Sequence, residues 1–211
     1  MSAPAGTRAE AAVRSEVVPR LLPWVLTVAG AAGLLAALDL SYERLLLAVD
    51  PSYRPTCSVN PLLDCGAVAS SDQASLFGTF PNTLIGVASF AVVVTLGVLG
   101  LWGVRLPRGV RLGLQVGVVL GAVFVHWLVV VSVFRLGVLC PYCMVVWVAT
   151  MTLFSYVTLA NAADGLLGRR VAASTAVRTL VLAHPLPVLL WVALVAALVG
   201  VRFADQWALM L

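Results

Sequence analysis

The chain has 211 residues, of which 62% are hydrophobic and only 10% are charged. An ordinary soluble domain carries about 25% charged residues, so this composition excludes a fully water-covered surface and predicts an all-α polytopic membrane protein. The formal net charge of +4 comes from arginines scattered in short groups, which excludes the clustered basic face that nucleic-acid binding requires.

Five segments reach the length of about 20 mostly apolar residues that a spanning helix needs: 21–40, 82–104, 112–134, 136–160 and 180–201. We therefore predict a four-helix bundle core plus a fifth transmembrane helix. The alternative for the first segment is a secretory signal peptide, but its leader is long and no clear small-residue cleavage site follows. The fifth contains His184, Pro185 and Pro187, which are typical of a helix start at the membrane interface.

The orientation follows from the arginines in alternate connections, since arginine-rich connections stay in the cytoplasm. One side carries Arg8, Arg14, Arg20, Arg105, Arg108, Arg111, Arg169, Arg170 and Arg178, and the other carries Arg44, Arg54, Arg135 and Arg202. The N-terminus is therefore predicted to be cytoplasmic, in a multi-pass protein of the inner (plasma) membrane.

The predicted organisation has four parts. Residues 1–20 form a disordered cytoplasmic tail, 21–160 the four-helix core, 161–179 a cytoplasmic connection, and 180–211 the fifth helix with a short outer tail. The core includes an outer loop at 41–81, the only long polar segment. Such length is usually functional or disordered, and two cysteines within the loop favour function.

The four cysteines form two pairs, Cys57 with Cys65 in the outer loop and Cys140 with Cys143 in the stretch LGVLCPYCMVVWV. The fourth span must run from outside to inside, so both pairs are predicted to lie in one non-cytoplasmic layer, where disulfides can form. Four cysteines allow three connectivities, and a relay would use more than one of them in turn.

The position of the second pair indicates reactive thiols. Cysteine reacts as a thiolate, and the unpaired N–H groups at a helix start lower its pKa. Pro141 fits the first turn of such a helix. The adjoining apolar bundle could hold a lipid-soluble oxidant, while the loop pair could move between the helix pair and a soluble partner.

Two structural alternatives remain open at this point: a pair of static disulfides, or a Cys₄ zinc site. Cys140 and Cys143 lie only one helical turn apart and cannot reach far into the loop. The C-x7-C spacing of the loop pair is longer than zinc ligands usually show. A thiol–quinone relay without metal is therefore favoured.

In their order along the chain, these motifs resemble the vitamin K epoxide reductase family, including its bacterial disulfide-forming members. The resemblance covers roughly 21–160. It rests on the C-x7-C loop pair, the Ser70–Ser71 dipeptide, Asn82 at the start of the second helix, and the C-x-x-C that opens the fourth. Disulfide-bond-forming protein B has the reverse order, with its C-x-x-C in the first outer loop.

The resemblance implies a quinone-dependent thiol oxidoreductase that drives disulfide bond formation. A thioredoxin-fold, DsbA-like protein would deliver two electrons to Cys57, and Cys65 would pass them to Cys140 through a transient disulfide. Cys143 would act on a membrane quinone, menaquinone or similar, as the electron acceptor. Vitamin K epoxide is the alternative acceptor, and a non-enzymatic membrane protein with structural disulfides or zinc is the alternative from another class.

The resemblance also implies roles around the thiols. Asn82 would hydrogen-bond one quinone carbonyl, and Ser71 would support the loop or the rim of the active site. Trp147 stands where the vertebrate enzymes carry a tyrosine near the second carbonyl, and its indole N–H can donate a hydrogen bond. Many bacterial members carry a fused thioredoxin domain; here the partner is expected to be a separate protein.

Several other polar residues remain less defined. His126 lies inside a predicted span and could serve proton uptake at the quinone or helix packing, and Gln115 has a similar ambiguity. Asp39, Glu43 and Arg44 are expected to be interfacial charges rather than acid–base catalysts.

Overall fold

The computed structural model describes residues 17–50, 52–76 and 80–208. Most of the tail predicted at 1–20 lies outside the described residues. In chain order the elements are α1 (Val17–Val49), α2 (Cys65–Ala69), a 3₁₀ turn (Asp72–Ala74), β1 (Ser75–Leu76), β2 (Phe80–Pro81), α3 (Asn82–Leu101), α4 (Arg108–Val130) with a π-helical turn (Val131–Leu136), α5 (Pro141–Ala163), α6 (Arg169–Ala172), α7 (Thr175–Leu182), α8 (Leu186–Arg202) and α9 (Ala204–Ala208).

The architecture confirms the all-α polytopic prediction. Within the described part of the chain, α1, α3, α4 with its π-helical turn, and α5 are each long and apolar enough to cross a membrane. A fifth candidate span is the pair α7 and α8, whose axes are bent by 77°. The break falls at Ala183–Pro185, the segment whose His and Pro residues predict an interfacial helix start.

The first helix is longer than predicted at both ends. It begins at Val17, four residues inside the predicted tail, and continues to Val49 instead of ending at Leu40. The stretch SYERLLLAV, residues 41–49, contains no Gly or Pro and several good helix formers. The helix stops at Asp50 because Pro51 disfavours the helical conformation of the preceding residue. The first nine residues of the segment predicted as the outer loop are therefore helical.

Small residues let the helices approach closely. α1 packs against both α3 and α5, and α5 packs against α4. A Cβ added at Gly97 of α3 would lie only 2.6 Å from the backbone nitrogen of Thr27 in α1. Glycine at such a contact lets two spanning helices meet backbone to backbone.

A polar network ties α4 to α5 at the end of the bundle away from the cysteines. Arg111 donates from Nη2 to Asp164 at 2.6 Å and to Asn161 Oδ1 at 2.9 Å. Asn161 donates to Gln115 Oε1 at 3.0 Å, and Gln115 donates to Thr158 Oγ1 at 3.0 Å. Gln115 is thus part of a structural network.

The fifth-span candidate docks on the core through an aromatic pair. Trp191 Nε1 of α8 donates to His126 Nε2 at 3.0 Å. His126 Nδ1 lies 2.7 Å from the carbonyl of Ala122, so the neutral ring with its proton on Nδ1 satisfies both contacts. This arrangement favours the helix-packing role for His126.

Candidate active site

Backbone hydrogen bonds join the outer loop to the segment that precedes α5. Leu139 donates from its N–H to the carbonyl of Leu62 at 2.8 Å, and Asp64 donates to the carbonyl of Leu139 at 3.0 Å. Leu63 and Leu139 thereby form a parallel bridge. Because Cys65 and Cys140 each follow this junction directly, the junction places them side by side.

Both of these cysteines lie at helix starts. Cys65 is the first residue of α2, and Asp64 caps that helix by accepting from the N–H groups of Gly66 at 2.8 Å and Ala67 at 3.3 Å. Ser58 donates to the same carboxylate at 2.5 Å. The Ser58 hydrogen bond, with those backbone donors, holds the pKa of Asp64 below its usual value.

Cys140 is the N-cap of α5, with Pro141 in the first turn as the sequence predicts. Its sulfur accepts from the backbone N–H of Cys143 at 3.3 Å. The hydrogen bond from the Cys143 side chain, assisted by the N–H groups of Cys143 and Tyr142, lowers the pKa of Cys140 despite its burial. The thiol nearest the loop is therefore also the one whose thiolate is favoured.

The four sulfurs form a compact cysteine cluster. Cys57 and Cys65 are joined by a disulfide, whereas Cys140 and Cys143 are free thiols. The Sγ atoms of Cys65 and Cys140 are 3.2 Å apart. Leu40 completes the buried cluster, against which Tyr142 and Cys143 pack. A free thiol touching a disulfide sulfur is the arrangement that thiol–disulfide exchange requires.

The sulfurs differ in their access to solvent. Cys57 has 7% of its surface exposed, Cys65 1% and Cys140 none. Cys57 is therefore the more exposed residue of the outer disulfide, whereas in the inner pair Cys143 is half-buried.

Trp147 is fully buried in a second cluster next to the cysteines. This tryptophan cluster includes Leu62 and Leu139 of the loop junction and Phe203, which directly follows α8. Cys143 packs against both the tryptophan cluster and the cysteine cluster. The indole Nε1 of Trp147 is buried without a hydrogen-bond partner.

The other two residues predicted to line the quinone site lie where the loop returns to the bundle. Asn82 begins α3, as predicted, and donates from Nδ2 to the carbonyl of Gln73 at 2.7 Å, while its Oδ1 is buried and unpaired. Ser71 donates to the carbonyl of Val68 at 2.7 Å, so its hydroxyl is engaged within the loop. Thr83 was missed by sequence reasoning, and its hydroxyl is also buried and unpaired.

Sequence reasoning treated Glu43 and Arg44 as interfacial charges, but both bind the outer loop. Glu43 accepts from the hydroxyl of Thr56 at 2.6 Å. Arg44 donates to the carbonyl of Ala74 at 2.6 Å and to the Ser75 hydroxyl at 2.7 Å. A signal was present for Glu43, because it continues the spacing of buried Ala36 and Leu40 on one face of α1.

Two cavities lined by described residues run along the bundle. An open groove of about 680 Å³ between α1 and α5 starts at Pro141 and is almost entirely apolar. A cavity of about 250 Å³ touches all four long helices, but at the Arg111 end and not at the outer face where the quinone pocket was predicted. Neither of these two cavities is lined by Cys143, Asn82 or Trp147.

Comparison with known proteins yields one family. The model of the Vitamin K epoxide reductase family matches residues 24–158. The match runs from α1 into α5, so it includes all four cysteines and leaves α8 outside. No curated protein matches the chain.

Proposed function

Because the chain belongs to the Vitamin K epoxide reductase family, and is therefore a multi-pass membrane oxidoreductase, we propose that it oxidises a separate thioredoxin-fold, DsbA-like protein and passes the electrons to a membrane quinone. Repeated turnover would drive disulfide formation in secreted proteins. The observation that carries the proposal is the 3.2 Å contact between the disulfide sulfur of Cys65 and the free thiol of Cys140.

Electrons would enter through the outer pair. A thiolate of the reduced partner attacks Cys57, and Cys65 leaves as a thiolate. The second thiol of the partner then releases Cys57, so that the partner is oxidised and the outer pair is reduced. Cys57 is favoured as the entry point because Cys65 and Cys140 are still more deeply buried. Its 7% exposure means that the loop must shift for a protein partner to reach the sulfur.

The electrons would then move to the inner pair. The Cys65 thiolate attacks Cys140 of the Cys140–Cys143 disulfide, and Cys143 leaves as a thiolate. Cys57 next attacks Cys65, which reforms the outer disulfide and frees Cys140. The oxidised outer pair and free inner thiols match the state at the end of this transfer.

Unpaired polar groups at the cysteine end of the bundle suit a quinone as acceptor, and one of them, Trp147, belongs to the cluster against which Cys143 packs. Trp147 offers a buried, unpaired N–H and Thr83 an unpaired hydroxyl, and either could donate to an oxygen of a quinone. The unpaired amide oxygen of Asn82 could accept from a hydroxyl of the quinol product, since its Nδ2 already donates to Gln73. Ser71 would support the loop rather than the ring, since its hydroxyl already bonds Val68. A quinone such as menaquinone would supply a two-electron, two-proton acceptor when Cys140 and Cys143 close their disulfide.

The proposed orientation places the cysteines on the periplasmic side and the N-terminus in the cytoplasm. It is supported by the excess of arginine in the connections at the opposite end from the cysteines. In that compartment the outer loop could meet a secreted partner, and disulfides persist.

The test is anaerobic reduction of a short-chain menaquinone analogue by the purified protein supplied with a reduced thioredoxin-fold donor. Cys143→Ala should abolish turnover. Cys57→Ala should slow turnover with the protein donor but spare it with a small dithiol that reaches the inner pair. Ser70→Ala, an exposed change in the same loop, is the control and should match the unmodified chain. Quinone reduction that persists in Cys143→Ala, or is absent from the unmodified chain, would overturn the proposal.

A further inference from the structure

Glu43 is a buried carboxylate beneath the outer loop. Only 6% of its surface is exposed, although it lies near the end of α1. Its Oε1 accepts from the hydroxyl of Thr56 at 2.6 Å and from the backbone N–H of Thr56 at 3.2 Å. The Glu43 carboxylate also raises the pKa of the neighbouring Tyr53, because it interacts with the Tyr53 hydroxyl and carries a negative charge. Glu43 therefore holds the segment that leads directly into Cys57.

Only one of the two oxygens of this carboxylate has a hydrogen-bond partner. Its second oxygen, Oε2, is buried without a partner, and no cation within the described part of the chain pairs with it. The adjacent Arg44 is directed to Ala74 and Ser75 instead. A buried polar atom without a partner is uncommon in folded proteins, so this oxygen calls for an explanation.

A carboxylate binds the chain next to each of the two outer cysteines in the structure. Asp64 directly precedes Cys65 and caps the helix that Cys65 begins. Thr56 directly precedes Cys57 and is bound twice by Glu43. Leu40, one helical turn before Glu43, packs in the cysteine cluster with both sulfurs. Cys65 thus follows a carboxylate residue directly, whereas Cys57 follows a residue that is fixed by a carboxylate.

We propose that Glu43 is a positioning residue for Cys57. This inference rests on the proposed function, since it concerns the step that completes electron transfer to the inner pair. In that step the Cys57 thiolate bonds to Cys65, the Cys65–Cys140 bond breaks, and Cys140 leaves as a thiolate. By fixing Thr56, Glu43 keeps Cys57 next to Cys65, so the mixed disulfide is resolved quickly and the Cys57–Cys65 bond is favoured.

The test compares disulfide distributions in full-length variants equilibrated in a glutathione redox buffer, quenched with acid and alkylated for mass spectrometry. Glu43→Leu removes both acceptor oxygens at similar size. Losing hydrogen bonds to a charged group should raise the ratio of Cys65–Cys140 to Cys57–Cys65 by about tenfold. Glu43→Gln keeps one acceptor oxygen and should restore part of the effect. Asp39→Leu is the matched control, because Asp39 is an exposed carboxylate on the same helix, and it should leave the ratio unchanged.

Thr56→Val gives an independent variant if Glu43→Leu fails to fold. It removes the shorter hydrogen bond, keeps the backbone bond, and should shift the ratio in the same direction by less. A folded variant of either kind whose ratio equals that of the unmodified chain would overturn the inference. The redox buffer involves no quinone, so loss of quinone reduction in the unmodified chain would contradict the proposed function without affecting this readout.

Discussion

The two ends of the helix bundle treat their buried polar groups differently. At the end away from the cysteines, Arg111, Gln115 and Asn161 form a network in which each side chain has a partner. At the cysteine end, four buried side-chain atoms in the described part of the chain have none: Glu43 Oε2, Asn82 Oδ1, Thr83 Oγ1 and Trp147 Nε1.

This difference indicates that one end of the bundle serves stability and the other serves function. A buried polar network that is fully paired holds helices in register, whereas an unpaired buried group costs free energy. Proteins tolerate such local costs mainly at sites where a ligand or a reaction uses the group. The unpaired atoms lie at the end that carries Cys140 and Cys143, which supports a binding role for that end and a structural role for the other.

The largest effect is expected on stability, at the end of the bundle away from the cysteines. Asn161→Leu would remove the shared partner of Arg111 and Gln115 but keep their bonds to Asp164 and Thr158, so the free energy of unfolding should fall by about 2 kcal/mol. Unfolding in detergent micelles measures this, with exposed Thr95→Val as the control. The fraction that folds should keep its quinone turnover. A stable variant with impaired quinone turnover would mean that this end takes part in the reaction.

The next largest effect is expected at the cysteine end. Trp147→Phe removes an N–H that has no partner in the protein, so stability should change little. If that N–H binds the acceptor, the KM for a menaquinone analogue should rise about tenfold, while exchange between the cysteine pairs is unaffected. Steady-state kinetics at several quinone concentrations measures the change. An unchanged KM would remove Trp147 from the binding site.

Asp64 differs from the unpaired groups at the cysteine end, because its carboxylate has hydrogen-bond partners. Asp64→Ala removes the cap of α2 and should lower the free energy of unfolding by about 1 kcal/mol. Because the pKa of Asp64 is lowered in the folded protein, its contribution is present above the ordinary carboxyl pKa and disappears as the pH falls through the lowered value. Unfolding measured at neutral and acidic pH should show a deficit at neutral pH only. The same deficit at both values would exclude the charge as its cause.

The smallest effect is expected where α8 meets α4. Trp191→Phe removes the hydrogen bond to His126 but keeps the aromatic contact. Interhelical hydrogen bonds in membranes contribute about 0.6 kcal/mol on average, and a loss of that size should appear in micelle unfolding. If His126 serves packing, the pH dependence of quinone turnover in Trp191→Phe should equal that of the unmodified chain. Loss of turnover at high pH alone would restore its proton-uptake role.

Composition and hydropathy predict the helices well, because a bilayer leaves a spanning chain few alternatives to the helix. The end of α1 was misplaced because hydropathy marks where a membrane segment ends, not where the helix ends; residues 41–49 remain helical after the apolar run stops. The break before α8 could be predicted, since His184 and Pro185 carry a local signal.

The candidate site was predicted in part. The order of the cysteines and the N-cap position of Cys140 follow from local sequence. The spacing of Glu43 on α1 predicts its burial, but its contact with Thr56 depends on how the outer loop folds and leaves no local signal. The unpaired hydroxyl of Thr83 has no sequence signal either. The hydrogen bonds between Leu139 and the loop are likewise backbone contacts that leave no residue-type signal.

The most direct measurement is of the bond between the two cysteine pairs. In the double variant Cys57→Ala/Cys143→Ala, only Cys65 and Cys140 remain, with sulfurs that are 3.2 Å apart in the unmodified chain. Mild oxidation followed by mass spectrometry should find them joined within one chain. Two free thiols, or disulfides between separate chains, would contradict electron transfer from Cys65 to Cys140.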